Sequence, residues 1–350
     1  MKGTVDMKKL IGLAAVLAAL YAAYWVVGSR TALNGARDLI TIARNAGWGD
    51  AEDVTLRGFP SRFDLTFSQP QLDSADGFLS WTTPRAQVFA LSYQPNQAII
   101  FLPDEQALRM GDQTFTLSSK DTRASIETGF STSLPLQEAV AVIKSPVLTP
   151  EGQPKQAIRA DQLRLAVAAQ SPDTALLSAQ ATGGVAAAPA AAYRIGTELT
   201  DLVAPQAMAH YLPKGLPLTI ERLHLDAIAG LSAPLDKAAT LVPPVLDTLQ
   251  VRDLTMSWGG KALSAEGAIA IAADGRPSGT LTLRSVDWKA WLDLLVEAGL
   301  LPQKQKPMIT MLAGQMAAKT PDQALELKVV FKDGQMRIAG LPVGPAPVLR

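Results

Sequence analysis

The sequence of 350 residues has no cysteine, two histidines and an aromatic content of only 6%. Without cysteine the chain forms no disulfide, thiolate zinc site or iron–sulfur cluster, and it has no cysteine nucleophile. His210 and His224 lie in different predicted elements, at a spacing that matches no zinc motif. With so few aromatic residues, we expect a core built from Leu, Val, Ile and Ala.

Charge is also sparse. Charged residues make up 18% of the chain, below the roughly 25% typical of soluble domains. Lys plus Arg and Asp plus Glu both total 32, so the formal net charge is zero. Because phosphate binding needs a basic surface, the composition predicts no nucleic-acid partner. The lack of cysteine also suits an oxidising compartment.

Catalytic signatures are missing as well. The sequence contains no Gly-x-Ser-x-Gly elbow, no phosphate-binding glycine loop and no dinucleotide-binding fingerprint. Carboxylates such as Asp104 and Glu105 lie beside turns, where solvated acids are common. His224 alternates with apolar residues and is interpreted as a histidine with ordinary hydrogen bonds. We therefore predict no catalytic residue, no cofactor and no metal site, although a carboxylate dyad from distant positions stays open.

One long uncharged run is present, at residues 10–27, with the sequence LIGLAAVLAALYAAYWVV. As a helix it is about 27 Å long, close to the ~30 Å hydrocarbon core of a bilayer. Lys2, Lys8 and Lys9 precede it, which predicts a cytoplasmic N-terminus, a single pass through the inner membrane and a periplasmic body. The predicted anchor residues are Leu10, Leu13, Val16, Leu17, Leu20, Tyr21, Tyr24, Trp25 and Val27. A cleaved signal peptide and a buried soluble helix are the alternatives. Translation could start equally well at Met7 or at Met1.

A helical pattern continues past the uncharged run, over residues 29–46. Arg30, Arg37 and Arg44 recur on one stripe of this predicted juxtamembrane helix. The stripe is either a solvated face or a set of contacts with anionic lipid headgroups. Gly47 and Gly49 predict its end.

The remainder is dominated by short runs that alternate apolar and polar residues, separated by Pro, Gly, Asn or Asp. Short alternating runs separated by such turn residues are typical of an antiparallel meander. The predicted strands lie near 54–56, 63–67, 86–93, 98–102, 107–109, 114–119, 124–128, 157–168, 218–227, 251–258, 262–272, 279–283, 326–331 and 335–339.

Helical patterns interrupt these strands at 134–143, 197–211, 234–250, 287–299 and 307–318. In the last two, apolar residues form stripes that we expect to pack on the sheet. The residues predicted to line or cover an apolar groove are Trp288, Trp291, Leu295, Met308 and Met311. Ordinary packing of helices on a sheet is the alternative.

The sequence thus predicts an α+β protein, with a transmembrane helix followed by a large, mostly antiparallel, curved sheet and several packing helices. Its parts are a cytoplasmic N-terminus and signal-anchor (1–28), a juxtamembrane helix (29–49) and a periplasmic β-rich body (50–350). An Ala- and Gly-rich stretch places a candidate internal boundary near 181–196.

Several stretches resemble an uncharacterised family of membrane-anchored envelope proteins of alphaproteobacteria, domain-of-unknown-function family 2125. They are MKKLIGLAAVLAALYAAYWVVGSR, the Gly-Trp pair at 47–48, RGFPSRFDLTFSQP, VFALSYQPN and FKDGQMRIAGLPVGPAPVL. They bracket nearly the whole chain. The resemblance transfers no catalytic residue. The overall plan is also similar to AsmA-type envelope proteins, a likeness at the level of fold that implies lipid transport.

These observations favour a non-enzymatic envelope protein. Its expected partners are the lipid bilayer and a lipid or other apolar ligand held or shielded by the sheet. One alternative is a scaffolding module that binds envelope proteins. A hydrolase acting on envelope polymers is a third hypothesis, and it requires a cleft where acids or a histidine converge.

Overall fold

The computed structural model describes residues 7–173, 189–210, 212 and 216–349. Within these ranges the α-helices are α1 Met7–Ala46, α2 Trp288–Glu297 and α3 Lys306–Ala317. Short 3-10 helices lie at Pro154–Gln156, Gln206–His210, Lys237–Thr240 and Gln303–Gln305. The rest is dominated by one antiparallel sheet of 22 strands. The α+β prediction is therefore confirmed.

Most strands form a main row in which each pairs with the next. In spatial order they are β2 Asp53–Arg57, β3 Arg62–Ser68, β6 Arg85–Leu91, β7 Gln94–Leu102, β10 Asp121–Thr128, β11 Leu136–Lys144, β14 Gln162–Gln170, β15 Ala191–Val203, β16 Thr219–Leu231, β17 Leu246–Trp258, β18 Lys261–Ile271, β19 Pro277–Ser285, β20 Leu325–Lys332, β21 Gln335–Ile338 and β22 Leu341–Pro345.

Shorter strands form a side row that joins the main row at β15. In order they are β1 Gly49–Asp50, β4 Gln71–Asp73, β5 Leu79–Thr82, β8 Glu105–Met110, β9 Gln113–Ser118, β12 Val147–Pro150 and β13 Ile158–Arg159. Each strand of the first half of the sheet thus passes from one row to the other across a two-residue break. The breaks are at 51–52, 69–70, 83–84, 103–104, 119–120, 145–146 and 160–161.

The breaks have a local cause. Pro70, Pro84 and Pro146 lie in them and lack the N–H that a continuous ladder needs. Gln69 and Ser145 adopt positive φ angles of 45° and 48°, which also interrupts a strand. Neighbouring breaks are hydrogen-bonded to each other, as in Gln69 N to Pro84 O at 3.0 Å. The breaks therefore form a line across the sheet.

Residues directly opposite each other in an antiparallel pair lie on the same face. Following these partners across the main row gives one face of mostly apolar side chains, here called the apolar face. It includes Leu65, Val88, Ile100, Ala124, Ala141, Leu165, Thr197, Leu225, Leu254, Ala265, Leu283 and Leu327. The opposite face of the main row is called the polar face.

Helices pack on the apolar face at both ends of the main row. Near β3, Gly28 of α1 lies against Phe63, since an added Cβ would be 2.8 Å from Phe63 Cζ. Near β20, Trp288, Leu292 and Leu325 belong to the core cluster formed with α2 and α3. A separate cluster around Ile269, Val329, Phe331 and Ala346 extends this core across β18 to β20.

Some predicted helices are strands in the structure, so these predictions were wrong. The segment 134–143 forms most of β11, and 197–203 is the end of β15. The segment 234–250 contains only the 3-10 turn Lys237–Thr240 before β17 begins at Leu246. The helices predicted at 287–299 and 307–318 are α2 and α3. The predicted helix over 29–46 is continuous with the uncharged run, as the second half of α1.

The Ala- and Gly-rich stretch lies largely outside the described residues, since 174–188 are not described. On either side of it, the whole of β14 pairs with β15, from Gln170 with Ala192 to Gln162 with Thr200.

Candidate functional site

Helix α1 meets the sheet at the hairpin turns that join β2 to β3 and β6 to β7. The Tyr21 hydroxyl and Ser92 Oγ are 3.0 Å apart, and the Tyr24 hydroxyl donates to Ser92 O at 2.5 Å. Trp25 Nε1 donates to Arg62 O at 2.9 Å. Ser92 is fully buried beneath these aromatic side chains. The three aromatic residues among the predicted anchor residues therefore contact the sheet at these turns.

Beyond these contacts α1 lies along the start of the sheet with small residues inward. Ser29, Ala36 and Ala43 are buried and recur at intervals of two helical turns. Before Tyr21 the described helix side chains are exposed, so this half of α1 projects past the turns without packing on the body.

The predicted anchor residues lie on this projecting half and on the following part of α1 that contacts the turns. Leu10, Leu13, Val16, Leu17, Leu20 and Val27 are all at least half exposed. The segment Leu10–Ala46 passes the length and hydropathy criteria for a membrane span, and none of its most apolar window is buried. A helical segment of this length with exposed apolar side chains is unfavourable in water and favourable in a bilayer. This segment is therefore a candidate membrane anchor.

An apolar recess of about 880 Å³ opens on the polar face next to the same turns. Its floor carries Phe89 and Leu91 of β6 and Ile99 and Phe101 of β7. Ile99 is 48% exposed and Leu91 36%. The Phe89 and Phe101 rings pack edge to face, with centroids 5.4 Å apart. The solvent face of an antiparallel sheet is normally polar, so this apolar floor is an exception.

Four charged residues form the rim of the recess, Arg62, Arg85, Asp104 and Asp121, and Arg123 lies beside it. Arg62 lies 5.9 Å from the Phe89 ring centroid, and Arg123 lies 5.0 Å from that of Phe101. Both guanidinium groups are also ion-paired, Arg62 with Asp64 at 3.0 Å and Arg123 with Asp121 at 2.7 Å.

Arg123 also affects the acid at the rim. Its hydrogen bond lowers the pKa of the Asp121 carboxyl below the ordinary value. The rim therefore carries both signs of charge at neutral pH, with Arg85 and Asp104 also among its residues. An apolar floor inside a charged rim suits a ligand with an apolar chain and a polar end.

A second, smaller recess of about 320 Å³ lies further along the polar face, over β14 to β16. Arg194 holds Asp226 through two hydrogen bonds of 2.8 and 2.9 Å. Hydrogen bonding from Arg194 is the main cause of the lowered pKa of Asp226. His224 lies beside this pair, with Nε2 3.8 Å from an Asp253 oxygen. The lining of this recess mixes charged residues such as Arg164 and Glu198 with small and apolar residues such as Ala166 and Leu225.

The residues predicted to line a groove or lid divide into two groups. Trp288 is 5% exposed, packs against Leu292 and Ala313, and donates through Nε1 to Gln323 O at 3.2 Å. Trp291 is half-buried. By contrast, the outer positions are exposed, Leu295 to 41%, Met308 to 56% and Met311 to 58%. The structure thus brings Trp288 into the core and leaves the methionines on the surface.

The arginine stripe of α1 is exposed throughout. Arg44 hydrogen-bonds Asp50 through Nε at 2.9 Å, just beyond the end of the helix. From Trp25, a helical rise of about 1.5 Å per residue places Arg30 about 8 Å, Arg37 about 18 Å and Arg44 about 28 Å along α1.

Sequence reasoning found β6 and β7 but missed the recess between them. The signal was available in Val88-Phe89-Ala90-Leu91, an unbroken apolar run where strict alternation would place two polar residues. Phe101 gave a similar signal directly after Ile99-Ile100. These segments alone do not show which strands are neighbours. They therefore do not show that the two apolar runs share one recess.

Among residues 7–173, 189–210, 212 and 216–349, no group of three or more His, Asp or Glu side chains is placed to hold a metal ion. Of the two recesses described above, the recess of β6 and β7 has the larger volume.

Comparison with known proteins gives one match. Residues 25–347 match the model of a family described as an uncharacterized protein conserved in bacteria, DUF2125. No curated protein and no solved structure matches significantly. The matched range begins at Trp25, where α1 meets the sheet, and covers all of the sheet described above. The chain therefore belongs to the DUF2125 family of conserved bacterial proteins.

Proposed function

We propose that this protein is a non-enzymatic, membrane-anchored protein of the bacterial envelope that holds the apolar chain of a membrane lipid in the recess of β6 and β7. The observation that carries the proposal is the apolar floor of Phe89, Leu91, Ile99 and Phe101, exposed on the polar face of the sheet. Its volume of about 880 Å³ falls within the ~300–1,000 Å³ usual for small-molecule sites.

The position of the recess relative to α1 supports a lipid over other apolar ligands. Arg62 belongs to the recess and also accepts the hydrogen bond of Trp25 through its carbonyl oxygen. Leu91 immediately precedes Ser92, which binds Tyr21 and Tyr24. If the apolar half of α1 spans the membrane, one end of the recess opens at the bilayer surface. A lipid chain would then reach it without crossing water.

Orientation is part of the same proposal. Lys2, Lys8 and Lys9 precede the span, and the positive-inside rule places this end in the cytoplasm. The body is then periplasmic, and its ligand comes from the outer leaflet of the inner membrane. Of the arginine stripe, only Arg30 lies within about 8 Å of Trp25, a distance comparable with the headgroup layer. We therefore retain Arg30 alone as a headgroup contact.

The test uses the full-length protein in nanodiscs that contain a phospholipid with a photoactivatable group on its acyl chain. After illumination, mass spectrometry locates the crosslinked peptides. We expect crosslinks on the parts of β6 and β7 that line the recess, residues 85–90 and 99–103, in addition to those on α1 and independent of any on the turn 92–93. Crosslinks confined to α1 would overturn the proposal.

A matched pair of variants separates the recess from a general effect of charge. Ile99→Asp places a carboxylate on the apolar floor and should reduce crosslinking there severalfold. Ala166→Asp places the same charge at the same level of the polar face, three strands away through Ser125 and Val140. Its crosslinking should match that of the wild type. Equal loss in both variants would contradict a specific site.

A scaffolding role has weaker support. The outer edge of β22 carries exposed Leu341 and Val343, and a free edge can pair with a partner strand. However, β22 also contains Pro342 and Pro345, and proline on an edge strand opposes such pairing.

A further inference from the structure

We propose that the hairpin turns beside α1 dip into the bilayer, so that the sheet itself is a second membrane contact. The surface consists of the turns 58–61, 92–93 and 129–135, here called the α1-side turns. The inference goes beyond lipid binding in the recess, and it rests on the proposal that α1 spans the membrane.

The α1-side turns carry aromatic and apolar residues that point away from the core. Phe59 is 61% exposed, Tyr93 66% and Phe130 82%, and Leu134 is half exposed. The last pair of β7 with β10 is Gln97 opposite Glu127, and beyond it Asn96 Nδ2 donates to Thr128 O at 3.2 Å. The Tyr93 and Phe130 turns are therefore neighbours on one edge. Aromatic residues at hairpin turns in water are unfavourable, and turns are usually built from Gly, Asn, Asp and Ser.

The depth of these turns follows from their contacts with α1. Two of the turns are fixed to α1, since Ser92 binds Tyr21 and Tyr24, and Arg62, directly after the turn 58–61, accepts from Trp25. These three aromatic residues belong to the last part of the apolar run 10–27, and the turn 129–135 lies beside the turn 92–93 on the same edge. From Tyr21 to Val27 the helix rises about 9 Å. When the run spans the hydrocarbon core, the turns lie within this distance of its outer end. Interfacial segments insert about 5–10 Å into the headgroup and acyl boundary.

The chemistry of the turns matches this depth. Trp and Tyr concentrate at membrane interfaces, where an apolar ring body and a polar group are both satisfied. Trp25 and Phe59 pack edge to face, with centroids 5.2 Å apart, so the helix and the first turn present one continuous aromatic surface. The opposite ends of the bent strands provide a comparison, because the β4–β5 turn there carries Phe78, also 58% exposed.

The cysteine-free sequence allows a direct test with single labels. Full-length Phe59→Cys, Tyr93→Cys and Phe130→Cys variants are labelled with an environment-sensitive fluorophore and reconstituted in phosphatidylethanolamine–phosphatidylglycerol liposomes. Phe78→Cys is the matched exposed-aromatic control, and Leu17→Cys marks the membrane span. Circular dichroism checks that each variant folds. Quenching by lipids with a nitroxide on the acyl chain is then compared.

We expect severalfold stronger quenching at positions 59, 93 and 130 than at position 78, with position 17 strongly quenched. If position 17 is quenched but the three turn positions behave like position 78, the anchor stands and this proposal fails. If position 17 is also unquenched, α1 does not span the bilayer and both proposals of membrane contact fall.

Discussion

At the scale of single residues, two glycines set the distance between β18 and β19. Gly267 and Gly279 have φ angles of +144° and +138°. A Cβ at Gly279 would lie 2.3 Å from Ala268 O, and one at Gly267 would lie 2.2 Å from Thr280 O. Both obstacles are backbone atoms, which cannot rotate away. We expect Gly279→Ala to lower the free energy of unfolding by more than about 2 kcal/mol, measured by urea denaturation in detergent.

The control for this substitution is Gly314→Ala in α3. Its Cβ would have no neighbour closer than Trp288 Cη2 at 3.8 Å. In a helix interior the same change should stabilise by about 0.5–1 kcal/mol. The close approach of β18 and β19 would be contradicted if Gly279→Ala left the free energy of unfolding unchanged or raised it, or if the two variants had the same effect.

The Arg194–Asp226 pair should give a pH-dependent contribution to stability. Because the hydrogen bond from Arg194 lowers the pKa of Asp226 in the folded protein, the stabilisation is present above the ordinary aspartate pKa. It is lost as the pH falls through the lowered pKa. Asp226→Asn should therefore cost a few tenths to about 1 kcal/mol at pH 7.

Thermal unfolding from pH 7 to pH 2 checks this effect. The difference between Asp226→Asn and the wild type should shrink as the pH falls. Asp112→Asn, in the exposed β8–β9 turn, serves as the control. A difference for Asp226→Asn that stays constant down to the lowest pH would show that it does not come from the ion pair.

At the scale of elements, α2 and α3 cap one end of the sheet through Trp288. Trp288→Ala removes a buried side chain from a packed cluster and should cost about 3–5 kcal/mol. Met311→Ala changes an exposed residue of the same helix pair and should stay within about 0.5 kcal/mol. Chemical denaturation of both variants measures the difference. Equal, small effects would favour a mobile lid over a structural cap.

The elements that sequence reasoning identified correctly have an amphipathic pattern of their own. Trp288, Leu292 and Leu295 recur at helical spacing in α2, and the pattern needs no partner to be recognised. The segment of β11 has Ala139, Ala141 and Ile143 on one face and Val140 and Val142 on the other. With both faces partly buried, its alternation is hidden, and a helical pattern fits it equally well. Pairing with β10 and β14 decides in favour of the strand.

At the scale of the whole molecule, the projecting half of α1 and the α1-side turns define the end that we propose faces the membrane. The proposed orientation predicts that alkaline phosphatase fused after residue 349 is active in intact bacteria and that a green fluorescent protein fusion there is dark. The reverse pattern would place the body in the cytoplasm. Replacing Lys8 and Lys9 by Glu should weaken the bias, because lysines before the span set its direction.

The candidate site shows where sequence reasoning ended. The uncharged run, the aromatic residues at its end and the apolar stretch around Phe89 were all visible as local patterns. That Trp25 binds the Arg62 carbonyl, and that Ser92 lies beneath Tyr21 and Tyr24, depends on partners 37 to 71 residues away. Of the predicted groove residues, Trp288 lies in the core, while Leu295, Met308 and Met311 are exposed on α2 and α3.

The sequence by itself determined the helix α1, the pair α2 and α3, and a body rich in strands. Each follows from composition and periodicity within one segment, because local backbone preference and one buried face are enough to specify it. Only the tertiary structure decided the order of strands, the line of breaks between two rows, the recess of β6 and β7 and its place beside α1. These depend on register between distant segments, and pairing energy is shared by both partners, so neither strand encodes it alone.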